Sequence, residues 1–181
     1  MEISKHKDHF VKFPYRRETR DNGDINNGGI DLVKEPHRIN EIHELAGAPW
    51  LKSFISALND DGGYFMSFGC VYGPEADCNM GYVDFSFRPE VDAHRRHEII
   101  NLDIAFYDYL TKAMDKAENP EAAINFARSS LVWERSPLEI YGETYEKVTI
   151  TFAYRDQAGV EWLFDHLQYF LTVYYPSLPQ P

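Results

Sequence analysis

Two sets of polar residues in this chain have the types that chemistry uses. The first is His94-Arg95-Arg96-His97-Glu98. His94 and His97 stand at i and i+3, a spacing that shares one helical face. A zinc site would need a third ligand beside that pair. The spacing also differs from His-Glu-x-x-His, in which the histidines are four apart and a Glu follows the first. Two adjacent arginines repel a cation. The segment reads as the solvated first turn of a helix or, if functional, as a contact for an anion or an acidic partner. No metal ligand is assigned.

The second set is Asp84, Arg88, Trp133 and Glu134, which are expected on the wet side of a sheet. Two carboxylates near an arginine are equipment for acid–base work. The same residues pair across strands on ordinary sheet surfaces, for tenths of a kcal/mol. Spacing alone does not make them converge, so no catalytic residue is assigned. No Ser, Cys or Lys stands in a recognisable nucleophile setting. Gly62-Gly63 precedes a strand and not a helix, so there is no phosphate loop. No cofactor-binding residue is assigned.

The elements that must position these residues follow from hydrophobic periodicity. Ile39, Ile42 and Leu45 recur at helical spacing. Pro49 opens a second helix with Trp50, Leu51, Phe54, Ile55 and Leu58 on one side, and Asp60-Asp61-Gly62-Gly63 stops it. Gly63–Tyr72 alternates, with Tyr64, Met66, Phe68 and Cys70 on one face. A loop, Gly73–Met80, carries Asp77. Tyr82–Arg88 alternates again, with Val83, Phe85 and Phe87 on the dry face and Tyr82, Asp84, Ser86 and Arg88 on the wet one. Asp92 caps a helix striped by Ile99, Leu102, Phe106, Tyr109, Leu110 and Ala113. A short helix, about 121–128, follows. A second hairpin spans 131–155 and turns near Gly142, with Val148, Ile150, Phe152 and Tyr154 on one face. The last helix starts near Asp156 and ends before Tyr175-Pro176.

Val83–Arg88 and Ile150–Arg155 repeat the same pattern 67 residues apart, each ending in an Arg before a helix. The repeat predicts an α+β fold: a four-stranded antiparallel sheet from two hairpins, each followed by an amphipathic helix, in a pseudo-duplicated order α-β-β-α-β-β-α. The helices cover mainly one face. Arg88 and Arg155 are expected to anchor each strand-to-helix turn. Residues 1–38 form a polar, partly flexible arm. Asn22–Gly29 has loop composition, and Phe10–Tyr15 is an apolar island suited to an edge strand. Residues 39–176 form the domain and 177–181 a tail.

The 181 residues include 12 Phe, 12 Tyr and 3 Trp, enough for a sizeable core. The net charge of −11 is uneven: residues 1–38 carry +1 and residues 39–181 carry −12. Such a domain repels nucleic acid and anionic membrane and attracts basic partners. No apolar run is long enough to span a bilayer and the N-terminus has no signal-peptide h-region, so the expected compartment is the cytoplasm. Cys70 and Cys78 flank a hairpin loop and are expected to be reduced thiols.

These observations favour a binding protein over an enzyme: an acidic domain that recognises another protein, of the inhibitor or immunity type that occupies a basic site. The expected contacts are Tyr64, Asp77, Asp84, Arg88, Trp133 and Glu134. One alternative is a small-molecule binder or enzyme using the open sheet face, and another is a homodimeric scaffold. Neither nucleic acid nor membrane is an expected partner.

Overall fold

The computed structural model describes residues 1–5, 11–19, 25–26, 28–75 and 77–179. Part of the predicted loop, Asn22–Asp24 and Asn27, lies outside the described residues, as do Phe10 and the last two residues of the tail.

Leu51, Phe54, Ile55 and Leu58 fall on one side of helix α1 (Pro49–Leu58), and all four are buried. The periodic stretch before it does not form an α-helix. Hemmed between Pro36 and Pro49, it is too short to propagate one, and it folds as two 3-10 turns, Pro36–Glu41 and His43–Leu45. Three of the remaining helices begin at capping side chains. Asp92 accepts from the His94 N–H ahead of α2 (Ala93–His97). A 3-10 turn (Glu98–Asn101) leads into α3 (Leu102–Ala113). Asn119 caps α4 (Pro120–Ser130), and Asp156 accepts from two backbone amides at the start of α5 (Gln157–Tyr169). A π-helical turn (Phe170–Tyr174) and α6 (Tyr175–Ser177) complete the chain.

The fold is mixed α and β. Among the described residues the main sheet has six strands, not four. β5 (Phe65–Glu75) pairs with β6 (Cys78–Phe87), β6 with β8 (Glu143–Tyr154), and β8 with β7 (Leu131–Ile140), all antiparallel. The arm adds β1 (Glu2–Ile3) and β2 (Lys12–Phe13), both parallel to β7. The reason is the unpaired backbone along the β7 edge, which two successive pieces of the arm cover. β3 (Glu18–Thr19) and β4 (Ile25–Asn26) form a separate two-stranded ribbon. The β7–β8 loop is Tyr141-Gly142, and both residues have positive φ, as a two-residue hairpin turn requires.

The matched segments lie side by side, with Val83 opposite Ile150. Their terminal arginines do different things. Arg88 is buried and donates to the carbonyls of Phe65, Leu58 and Asp60, tying the end of α1 to the start of β5. Arg155 is exposed. The likeness therefore extends to the strand pattern and not to the turn anchors, and the duplication is not established.

The long helices pack on one face of the sheet around Phe54, Phe65, Phe85, Phe106, Phe152 and Phe170. The other face holds a smaller apolar cluster that includes Phe13 of the arm, Phe68, Leu138 and Ile140. A bulge between Ser67 and Gly69 corrects the predicted alternation of β5: Met66 and Phe68 face the arm, while Cys70 returns to the helix side. No helix among the described residues is long and apolar enough to cross a membrane.

Candidate functional site

Strand parity turns Tyr82, Asp84 and Ser86 of β6, and Tyr145, Lys147 and Thr149 of β8, toward the arm. This face was expected to be wet. The arm and the segment 28–34 cover it, so Ser86 is 1 %, Lys147 3 % and Asp84 9 % exposed. The β6–β8 register sets Asp84 directly opposite Thr149. Lys147 Nζ lies 3.0 Å from Asp84 Oδ2, and Thr149 Oγ1 donates to Asp84 Oδ1 at 2.5 Å. Burying a Lys and an Asp together is costly unless each charge is paired and hydrogen-bonded, and here they are.

Beside this pair is a cavity of about 320 Å³. Phe13, Phe68, Leu138, Ile30 and Ile55 supply apolar lining; Asp84 and Lys147 form one buried charged end, and Lys12, His43 and Glu44 also line the cavity. Cys70 also lines the cavity, but burial pushes its thiol up to about 12, so at neutral pH it is protonated and not a nucleophile. Cys78 pairs with Glu75 and Cys70 with Val83, five residues along β6, about 17 Å, so the two thiols are far from bonding distance.

The arm is held over the cavity by several independent contacts. Backbone bonds join Glu139 N to the Val11 carbonyl at 2.8 Å and Tyr141 N to the Phe13 carbonyl at 3.1 Å. The Tyr15 hydroxyl donates to the Phe68 carbonyl. Tyr141 donates to Asp31, and Lys34 Nζ sits 4.0 Å over the Tyr141 ring and 3.1 Å from Asp31. Burial works to raise the Asp31 pKa, but hydrogen bonds from Tyr141 and Lys34 outweigh it and hold the carboxyl below its ordinary value.

The six residues expected to bind a partner are not brought together. Asp84 lines the cavity. Trp133 was expected on the polar side and is instead in the helix-side core, 6 % exposed, against Phe106. Its parity on β7 matches Leu131, which also faces the helices. Glu134 is half-buried on β7, paired with Thr149 and Glu2. Asp77 is exposed at the β5–β6 turn. Arg88 was also expected on the wet face; it lies past the end of β6, and together with Tyr64 it lines a different cleft.

The predicted solvated turn 94–98 is corrected in part. His94 and His97 are exposed. Arg95 is 3 % exposed and donates to the Tyr175 carbonyl at 2.6 Å. Arg96 stacks over Tyr145 at 4.8 Å. No group of three His, Cys, Asp or Glu among the described residues could hold a metal ion.

Sequence reasoning missed Lys147. Its signal was present: if Val148 and Ile150 face inward, Lys147 and Thr149 share the face of Asp84. The missing piece was the register between two strands some 60 residues apart. The chain matches no known protein-family model, and no curated protein or solved structure is significantly similar to it.

Proposed function

We propose that this chain binds a small, largely apolar molecule with one polar end, in the cavity between the sheet and the N-terminal arm. The observation that carries this reading is the buried Asp84–Lys147 pair beside the apolar wall of a cavity of about 320 Å³. Ligand sites of this size combine apolar walls with a few fixed polar groups. The walls supply affinity through burial, and the pair orients the polar end of the ligand.

The test uses 1-anilinonaphthalene-8-sulfonate, an apolar fluorophore with one charged end. Saturable enhancement with the folded protein is expected. A Cβ built at Gly69 meets only Asp84 Oδ2, at 3.9 Å, so Gly69→Leu has room to project toward the cavity. That variant should lose the enhancement while keeping its far-UV circular dichroism. Absence of saturable emission, or equal emission from Gly69→Leu, would overturn the reading.

The acidic surface supports a second reading, recognition of a basic protein. Residues 39–181 carry −12, and Glu75 and Asp77 are exposed at the β5–β6 turn. A salt-sensitive complex with a basic partner, weakened by Asp77→Asn, is the expected result; a complex indifferent to both salt and Asp77→Asn would oppose it.

A further inference from the structure

Among the described residues, Lys147 is the only buried lysine. It lines the sheet–arm cavity together with Asp84, and its Nζ lies 3.0 Å from Asp84 Oδ2. The other carboxylate oxygen, Oδ1, accepts from Thr149 Oγ1. Gly69 stands opposite Asp84 in the β5–β6 register. Among the described residues, an ideal Cβ at Gly69 finds only Asp84 Oδ2 within 4 Å, at 3.9 Å. The oxygen that Lys147 pairs with is thus uncovered on the Gly69 side, and Phe68, Ile30 and Ile55 give the cavity its apolar wall.

A lysine amine condenses with a carbonyl compound to form a Schiff base. The free amine is the reacting form, so a proton must first leave Nζ, and Asp84 Oδ2 is placed to receive it. The product iminium is a cation, and a cation in apolar surroundings needs an anion beside it. Asp84 is that anion. The pair is therefore charge-balanced both before and after the reaction. An aldehyde, with a single carbon substituent, presents the less crowded carbonyl to an amine whose residue is only 3 % exposed.

We infer that Lys147 binds an apolar aldehyde covalently, as a protonated imine with Asp84 as its counter-ion. This assignment rests on the ligand-binding reading of the cavity and names the ligand class. The Lys147 ammonium gives one proton to Asp84 Oδ2. The nitrogen lone pair forms the C–N bond, and the carbonyl π electrons move to oxygen. A second proton passes from nitrogen to that oxygen. Asp84 then returns its proton to the hydroxyl, the C–O bond breaks, and one water leaves. Ammonium and aldehyde become iminium and water, nothing is oxidised or reduced, and Asp84 is a carboxylate again.

The test treats the full chain with one equivalent of 2-naphthaldehyde and sodium cyanoborohydride, which reduces an iminium to a stable amine. Intact-mass measurement should show one adduct per chain. Peptide mapping should place about tenfold more of it on Lys147 than on Lys12, the exposed lysine that also lines the cavity. Lys147→Arg should lower the yield about tenfold. The labelled protein should lose its saturable 1-anilinonaphthalene-8-sulfonate emission, because the naphthyl group fills the cavity. Adduct mainly on another lysine, or labelled protein that keeps full emission, would overturn the inference, and both are read on the parent sequence without a variant. Saturable emission from the parent with no adduct overturns the imine alone. Absence of both overturns the cavity reading as well.

Discussion

Lys147 and Asp84 form an ion pair at 3.0 Å with both side chains almost wholly removed from solvent, on the face of the sheet opposite the helices. The pair sits on the two central strands, where β6 and β8 are hydrogen-bonded. A charge pair in that position is a poor way to gain stability and a good way to fix the polar end of a ligand.

Removing one partner strands the other. Lys147→Met should cost about 3–5 kcal/mol by urea denaturation, because Asp84 is left charged and buried. Adding Asp84→Asn to it should restore part of that loss. A single variant within 0.5 kcal/mol of the parent would show that the pair is more hydrated than its burial implies.

Gly81 admits no side chain. A Cβ there would collide with the Val71 carbonyl oxygen and the Phe152 ring. Gly81→Ala should therefore lose about 3 kcal/mol through overpacking. Gly73, with nothing within 4 Å of its ideal Cβ, is the control, and Gly73→Ala should change the melting temperature little.

The two matched arginines should differ sharply when changed. Arg88 makes three bonds to carbonyls, so Arg88→Met should cost about 3 kcal/mol. Arg155 is exposed, and Arg155→Ala should stay within about 0.5 kcal/mol. Equal losses measured by denaturation would restore the symmetric role that the sequence suggests.

The Asp31–Tyr141 bond makes arm docking sensitive to acid. The folded-state pKa of Asp31 is lowered, so its contribution is complete above the unfolded-state value of about 4 and is lost as pH falls through the lowered value. Tyr141→Phe should cost about 1 kcal/mol near pH 7. Melting curves of the two proteins should converge only below about pH 4. A constant gap down to pH 3 would remove Asp31 from the lock.

Alkali acts on other residues. Burial, with a hydrogen bond to Glu98, raises the Tyr175 pKa, and burial with a bond to Tyr72 raises that of Tyr154. Raised values mean that the stabilising contribution is present below the unfolded-state value of about 10 and lost as pH climbs through the folded-state values. Phenolate absorbance at 295 nm should show the last tyrosines ionising together with the loss of near-UV circular dichroism. Ionisation of all 12 tyrosines near pH 10 in the folded state would refute this.

Much of the architecture was legible because it is written in local periodicity. Leu51, Phe54, Ile55 and Leu58 could face one way only on a helix. Val148, Ile150, Phe152 and Tyr154 could do so only on a strand. Asp92 and Asp156 are capping residues because their short side chains reach nearby amides. Trp133 was misplaced because its face depends on a parity that the flanking residues, Val132 and Glu134, do not settle. Cys70 was grouped with Met66 and Phe68 because a bulge leaves no mark on hydrophobic alternation.

The sequence by itself determined the long helices, the two hairpins, most of their apolar faces and the acidic balance of the domain, since each depends on neighbours within a few residues. Only the tertiary structure decided that the arm closes the β7 edge and that Lys147 meets Asp84. Those relations join residues up to 132 positions apart, such as Glu2 and Glu134. They depend on strand register and chain crossing, which no local pattern encodes.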